Sequence, residues 1–72
     1  MKPRGDKWSI GVQDGKLARA NGVSRRKAGV DDLQVRLRNL LLDDEEAHTW
    51  SEIEQNEYCA GFRHGYLKGG RL

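Results

Sequence analysis

The sequence predicts a small, mainly α domain, all-α or α+β, in which a short extended N-terminal segment or hairpin precedes two or three helices and the long C-terminal helix is central. Three observations carry this expectation. Leucines recur at helical spacing behind the paired aspartates Asp31 and Asp32. Thr49-Trp50-Ser51-Glu52 has capping-box spacing ahead of a long stretch rich in aromatic residues and glycine. Trp8, Ile10 and Val12 alternate with Ser9, Gly11 and Gln13, the period of a half-buried strand. With 72 residues, of which 36% are hydrophobic and 33% charged, the chain holds material for one domain and no more.

Residues 1–7 contain the one proline, Pro3, beside Gly5 and several charges, and are expected to form a flexible basic arm ahead of a single small domain over 8–70. After the alternating segment, Asp14-Gly15 is a dipeptide favoured in tight hairpins, which would let Lys16 to Ala20 return as a second strand. Leu17 to Ala20 also suits a short helix stopped by Asn21-Gly22, with Ser24 capping a further segment that begins Arg25-Arg26-Lys27. Alanine and leucine favour helix, so the short helix is the preferred of the two.

Asp31 or Asp32 caps the next helix, whose Val30, Leu33, Leu37, Leu40 and Leu41 form one stripe; Arg36 and Arg38 are expected to fall away from it. The acidic run Asp43 to Glu46 disfavours the negative end of that helix and should break it. The last helix is expected from Trp50 to about Lys68, closed by Gly69-Gly70. Its apolar residues spread around most of its circumference, leaving mainly Glu52, Asn56 and Arg63 on a solvated strip. Gly61, Gly65 and Gly69 recur every four residues, and glycine is disfavoured in a helix, so close approach to that stripe is expected, by another segment of the chain or, as a docking groove, by a partner.

The charges are unevenly divided. Residues 1–30 carry eight basic against two acidic side chains, a net of +6, whereas residues 31–72 carry five against nine, a net of −4. Such asymmetry points the N-terminal part at a negative surface, either nucleic acid or an acidic protein face, or else pairs the two halves within the fold.

No chemistry is marked. Cys59 is the one cysteine, which excludes an internal disulfide framework, and a small core-filling role suits it. Cys59 and His64 lie five apart, turned about 140° from each other on a helix, which serves neither a zinc site nor a nucleophile pair. Ser9, Ser24 and Ser51 lack a nucleophile elbow, and Glu54 with Glu57 has the spacing of a helix surface. No enzyme activity, cofactor or metal is expected. No apolar run reaches a membrane-spanning length and Met1 to Lys7 is not followed by an apolar signal segment, so a cytoplasmic protein that binds no membrane, a monomer or weak dimer, is expected.

Three resemblances bear on function. The stretch Gly61-Phe62-Arg63-His64-Gly65-Tyr66-Leu67-Lys68-Gly69-Gly70 is similar to helices of small ribosome-associated hibernation proteins, which implies ribosomal RNA binding with Tyr58 or Tyr66 stacking on bases. Leu17 to Ser24 resembles the Leu-Ala-x-x-x-Gly-Val-Ser core of helix-turn-helix domains, which implies that Arg25, Arg26 and Lys27 face DNA. Against that pattern, Asn21 stands where an apolar residue is usual, Ala28 and Asp31 replace larger aliphatics, and Gly29 interrupts the second helix. The basic arm with Trp8, the minimal core and the opposite charges of the two ends resemble the very small phage-encoded proteins that bind host RNA polymerase. That last resemblance implies a non-enzymatic transcription regulator that alters initiation or termination. Its partner-binding residues would be Lys2, Arg4, Lys7 and Trp8.

Overall fold

The structure is a computed structural model and describes residues 6–69. Four α-helices follow one another: α1 (Lys7–Ala20), α2 (Arg25–Ala28), α3 (Leu33–Asp43) and α4 (Glu52–Gly69), with a 3-10 turn over Glu45–Thr49 between the last two. The described residues contain no strand. The mainly α expectation therefore holds, and the extended segment or hairpin at Trp8 to Ala20 does not: these residues lie in one 14-residue helix. Lys2 and Arg4, with most of the basic arm, lie outside the described residues, whereas Lys7 is the first residue of α1.

The reason for the difference at α1 is tertiary. Gly11 and Gly15, one turn apart, are its fully buried residues, and both face α4. A Cβ built on Gly11 would land on the carbonyl oxygen of Tyr58, and one on Gly15 on that of Phe62. The fit is reciprocal. A Cβ on Gly61 would meet the Trp8 carbonyl and one on Gly65 the Val12 carbonyl, while Gly69 lies over Lys16. Partner numbers rise together along both helices, so α1 and α4 run parallel, with glycines of each admitting the backbone of the other. The apolar alternation at Trp8, Ile10 and Val12 is overridden because a helix sets Gly11 and Gly15 one turn apart, in step with the Tyr58 and Phe62 carbonyls one turn apart on α4, whereas the longer rise of a strand would carry them out of step. The close approach expected at Gly61, Gly65 and Gly69 is thus made by α1 of the same chain.

A parallel pair needs a crossover, and α2, α3 and the 3-10 turn supply it. Gly22 turns the chain at φ +78°, Ser24 caps α2 by accepting from the Lys27 amide at 3.1 Å, and Gly29 ends α2 at φ +74°. Asp32 caps α3, its carboxylate accepting from the amides of Gln34 and Val35. The helix ends at Asp43, where the acidic run was expected to stop it, and Asp44 then caps the 3-10 turn by accepting from Glu46 N–H. α4 starts two residues later than its sequence suggests. The capping box is Ser51 with Glu54: Ser51 Oγ accepts from Glu54 N–H at 3.2 Å, and Glu54 Oε1 accepts from Ser51 N–H at 2.9 Å. Thr49 Oγ1 instead donates to the Glu46 carbonyl.

The core lies inside this crossover and consists of Ala28, Val30, Leu40, Ala47, Tyr58, Cys59, Phe62 and Tyr66. Tyr58, Phe62 and Tyr66, one turn apart on α4, pack as a ladder with ring centroids 6.3 and 6.5 Å apart, the first pair tilted and the second stacked, and Trp50 extends it at 5.7 Å from Tyr58. Both tyrosine hydroxyls are used: Tyr58 donates to Asp14 on α1, and Tyr66 to the Val23 carbonyl at 2.6 Å. Leucines of α3 contribute unequally, since Leu40 is buried while Leu33 and Leu42 remain exposed.

Arg36 departs from expectation. Its side chain is 7% exposed, donates from Nη1 to the Ala28 carbonyl at 2.9 Å, and lies 3.9 Å from the centroid of the Phe62 ring. The leucine stripe predicted an outward arginine; the carbonyl left free at the end of α2 and the face of Phe62 draw it inward.

Candidate functional site

Because α1 and α4 are parallel, their C-terminal ends lie at the same end of the molecule. Arg19 marks the junction: its Nη1 donates to the Tyr66 carbonyl at 3.2 Å and its guanidinium stands 5.2 Å from the Tyr66 ring centroid. Lys16 packs beside Gly69, next to Lys68, and the Tyr66 hydroxyl holds Val23, from which the chain leads directly into Arg25, Arg26 and Lys27. Two helix C-termini contribute about −0.5 charge each, which six cations outweigh.

These six cations differ in what they are free to do. Arg25 is drawn onto Asp31 through two hydrogen bonds, Nε to Oδ2 at 2.6 Å and Nη2 to Oδ1 at 3.0 Å. The pair holds the Asp31 carboxyl below, and the Arg25 guanidinium above, its ordinary range, with that hydrogen bond the largest cause in each. Arg63 approaches the same carboxylate at 3.8 Å. Arg19 is committed to Tyr66. Lys16, Arg26, Lys27 and Lys68 are exposed, and among the described residues none takes part in an ion pair. Backbone bonds fix the segment that carries two of them, because Asn39 Nδ2 donates to the Lys27 carbonyl at 3.0 Å and Arg36 clamps the Ala28 carbonyl.

The helix-turn-helix resemblance meets a mixed geometry. α1 runs into the turn, Gly22 takes the left-handed conformation and Val23 packs against the core. The second helix is four residues long, about 6 Å, one turn and no more. A helix this short presents cations at its surface but offers little length to lay along a groove.

The N-terminal site residues fall at the other side of α1. Lys7 stands 4.9 Å from the Trp50 ring centroid, and Trp8, 42% exposed, packs its ring against His64 at 5.3 Å between centroids. Tyr58 and Tyr66 are each 5% exposed, which leaves neither ring a face on which a base could stack. Cys59 is buried in the core, and burial pushes its thiol pKa upward, the opposite of an activated nucleophile. Among the described residues no three His, Cys, Asp or Glu side chains are grouped to hold a metal ion. No helix of the described residues is long and apolar enough to cross a membrane.

Sequence reading found Arg25, Arg26 and Lys27 and missed the gathering of Lys16, Arg19 and Lys68 where the C-terminal ends of α1 and α4 meet. The signal was present in the glycines: Gly11 and Gly15 match Gly61, Gly65 and Gly69 in spacing, and pairing the two stripes in parallel brings Lys16 to Gly69. No protein-family model matches the chain, and no curated protein or solved structure matches it either.

Proposed function

We propose that the protein binds nucleic acid through the basic end formed by α2 and the C-terminal ends of α1 and α4. The observation that carries this reading is the group of exposed cations, Lys16, Arg26, Lys27 and Lys68, that the fold leaves without carboxylate partners. Side chains of this kind contact phosphates and release counterions, which is the sequence-independent part of nucleic-acid affinity. The short α2 favours backbone contact over base readout. Arg25 shapes the segment through Asp31 and contributes less directly.

The test is a titration of labelled mixed-sequence duplex DNA with the Arg26→Glu/Lys27→Glu double variant beside the parent. Affinity is expected to fall at least about tenfold, as two phosphate contacts become repulsive. A control at the acidic end, Glu45→Gln/Glu46→Gln, is expected to bind as the parent does or slightly better. Equal binding by parent and double variant removes the reading.

A second reading is favoured by one observation, the half-exposed Trp8 beside Lys7 at the start of α1, where the basic arm ends. In it the chain is a regulator that docks on bacterial RNA polymerase through Trp8 and the cations that precede it. Tryptophan and arginine are frequent interface anchors, and Trp8→Ala is expected to weaken capture of purified polymerase by about 1–2 kcal/mol. Capture unchanged by Trp8→Ala contradicts this second reading and leaves the first intact.

A further inference from the structure

We propose that the cleft between the start of α3 and the outer face of α4 binds a small carboxylate carried on an apolar body. The cleft has a volume of about 390 Å³, within the range of small-molecule sites. Val30, Leu33, Cys59 and Ala60 make its apolar walls, and Arg36 and Arg63 are its cations. None of the four unpaired cations of the basic end lines it, so the site is separate from the nucleic-acid reading.

Arg36 is the reason to expect an anion here. The residue is more than nine-tenths buried, its Nε is sealed from solvent without an acceptor, and among the described residues no carboxylate forms an ion pair with it. One carbonyl and one ring face are its partners. A buried charge so sparsely compensated is costly, and an anion brought within its field offsets that cost. The side chain lines two cavities, and its partners Ala28 and Phe62 line the one on the α1 side; charge favours the other. The cavity on the α1 side, about 590 Å³, carries Lys27 but also Asp14, Asp43 and Asp44, so carboxylates outnumber cations there and repel an anion. In the α4 cleft the carboxylate among the described lining residues is Asp31, held by two hydrogen bonds from Arg25 and approached by Arg63 at 3.8 Å, and two lining guanidinium groups against that one carboxylate leave positive charge in excess. Leu33, half exposed at the rim, supplies the apolar contact that a free inorganic anion could not use.

The full chain, labelled with nitrogen-15, can be titrated with 4-phenylbutyrate and, separately, with the neutral 4-phenylbutyramide. Saturable shifts are expected at the amides of Val30, Leu33, Asn56, Ala60 and Arg63, with a Kd of about 1 mM or tighter. The neutral amide is expected to bind about tenfold more weakly, since charge-assisted hydrogen bonds to guanidinium are lost. Arg36→Gln removes a buried contact and can unfold the domain, so the deciding variants are the exposed Arg63→Gln, expected to weaken binding severalfold, and Ala60→Glu, expected to abolish it. A peptide ending in Leu-Phe, with its terminus free or amidated, separates a free carboxylate from a chain terminus as the source. Preference for the free-acid peptide over 4-phenylbutyrate assigns the cleft to chain ends, and the opposite order to small carboxylates. Shifts that do not saturate, equal affinity for the neutral amide, or shifts centred on Lys16, Lys27 and Lys68 would each overturn the proposal.

Discussion

At Gly11 and Gly61 the nearest neighbours of an added methyl group are backbone carbonyls, which cannot rotate away as a side chain can. Alanine gains about 1 kcal/mol of helix propensity, but overpacking against fixed backbone costs about 1–3 kcal/mol or more, so Gly11→Ala and Gly61→Ala are each expected to lose stability. The loss should exceed that of Gly22→Ala, where φ is +78° but nothing lies within 4 Å. Urea unfolding midpoints of the three variants check this order, with an unchanged slope showing that stability alone has moved. Tyr58 gives a pH prediction. Burial, and then its hydrogen bond to Asp14, raises the pKa of this phenol well above its ordinary value. Its contribution is therefore fully present below the unfolded value of about 10 and is lost as pH rises beyond it, because the unfolded chain ionises first. Tyr58→Phe should be less stable at pH 7 and should show a shallower loss between pH 9 and 11, measured by thermal unfolding.

At the scale of elements, the two overlapping Ser/Thr-x-x-Glu patterns around residue 50 explain why a boundary was misplaced while the helix itself was legible. Thr49 with Glu52 and Ser51 with Glu54 both satisfy the spacing, and nothing local chooses between them. The choice is made by Trp50, which stays extended at φ −78°, ψ 149° while its ring packs on Tyr58. Ser51→Ala is accordingly expected to cost about 1 kcal/mol through the lost cap, whereas Thr49→Ala removes only a bond to the Glu46 carbonyl. Chemical denaturation of both variants separates the two. α3 and α4 were legible because leucines and aromatics repeat at helical spacing and polar caps start both helices. α1 was not legible as one helix, because its inward face is made of glycine, which has no side chain to register in an apolar period. Arg36 was misplaced for a related reason: its position follows from the Ala28 carbonyl and the Phe62 ring, both supplied by other elements.

For the whole molecule, the parallel crossing of α1 and α4 has an electrostatic consequence. It gathers the C-terminal ends of the two longest helices, and with them Lys16, Arg19 and Lys68, and the Tyr66 hydroxyl ties this end to Val23, from which the chain enters the basic α2. The unequal charge of the two halves was visible in the sequence, but the alternatives of internal pairing and an outward-facing patch were not separable there. Among the described residues no ion pair joins the Asp43 to Glu46 run to the basic half, which favours the outward-facing patch over internal pairing. The measurement that tests the nucleic-acid reading most directly is the salt dependence of binding to mixed-sequence duplex DNA, followed by fluorescence anisotropy between 50 and 200 mM salt. Four phosphate contacts predict a log–log slope of about −3.6, roughly a hundredfold loss of affinity over that range, made shallower by about 0.9 for each of Lys16, Arg26, Lys27 and Lys68 replaced by alanine. A slope near zero for the parent, or one that the four replacements leave unchanged, would contradict it.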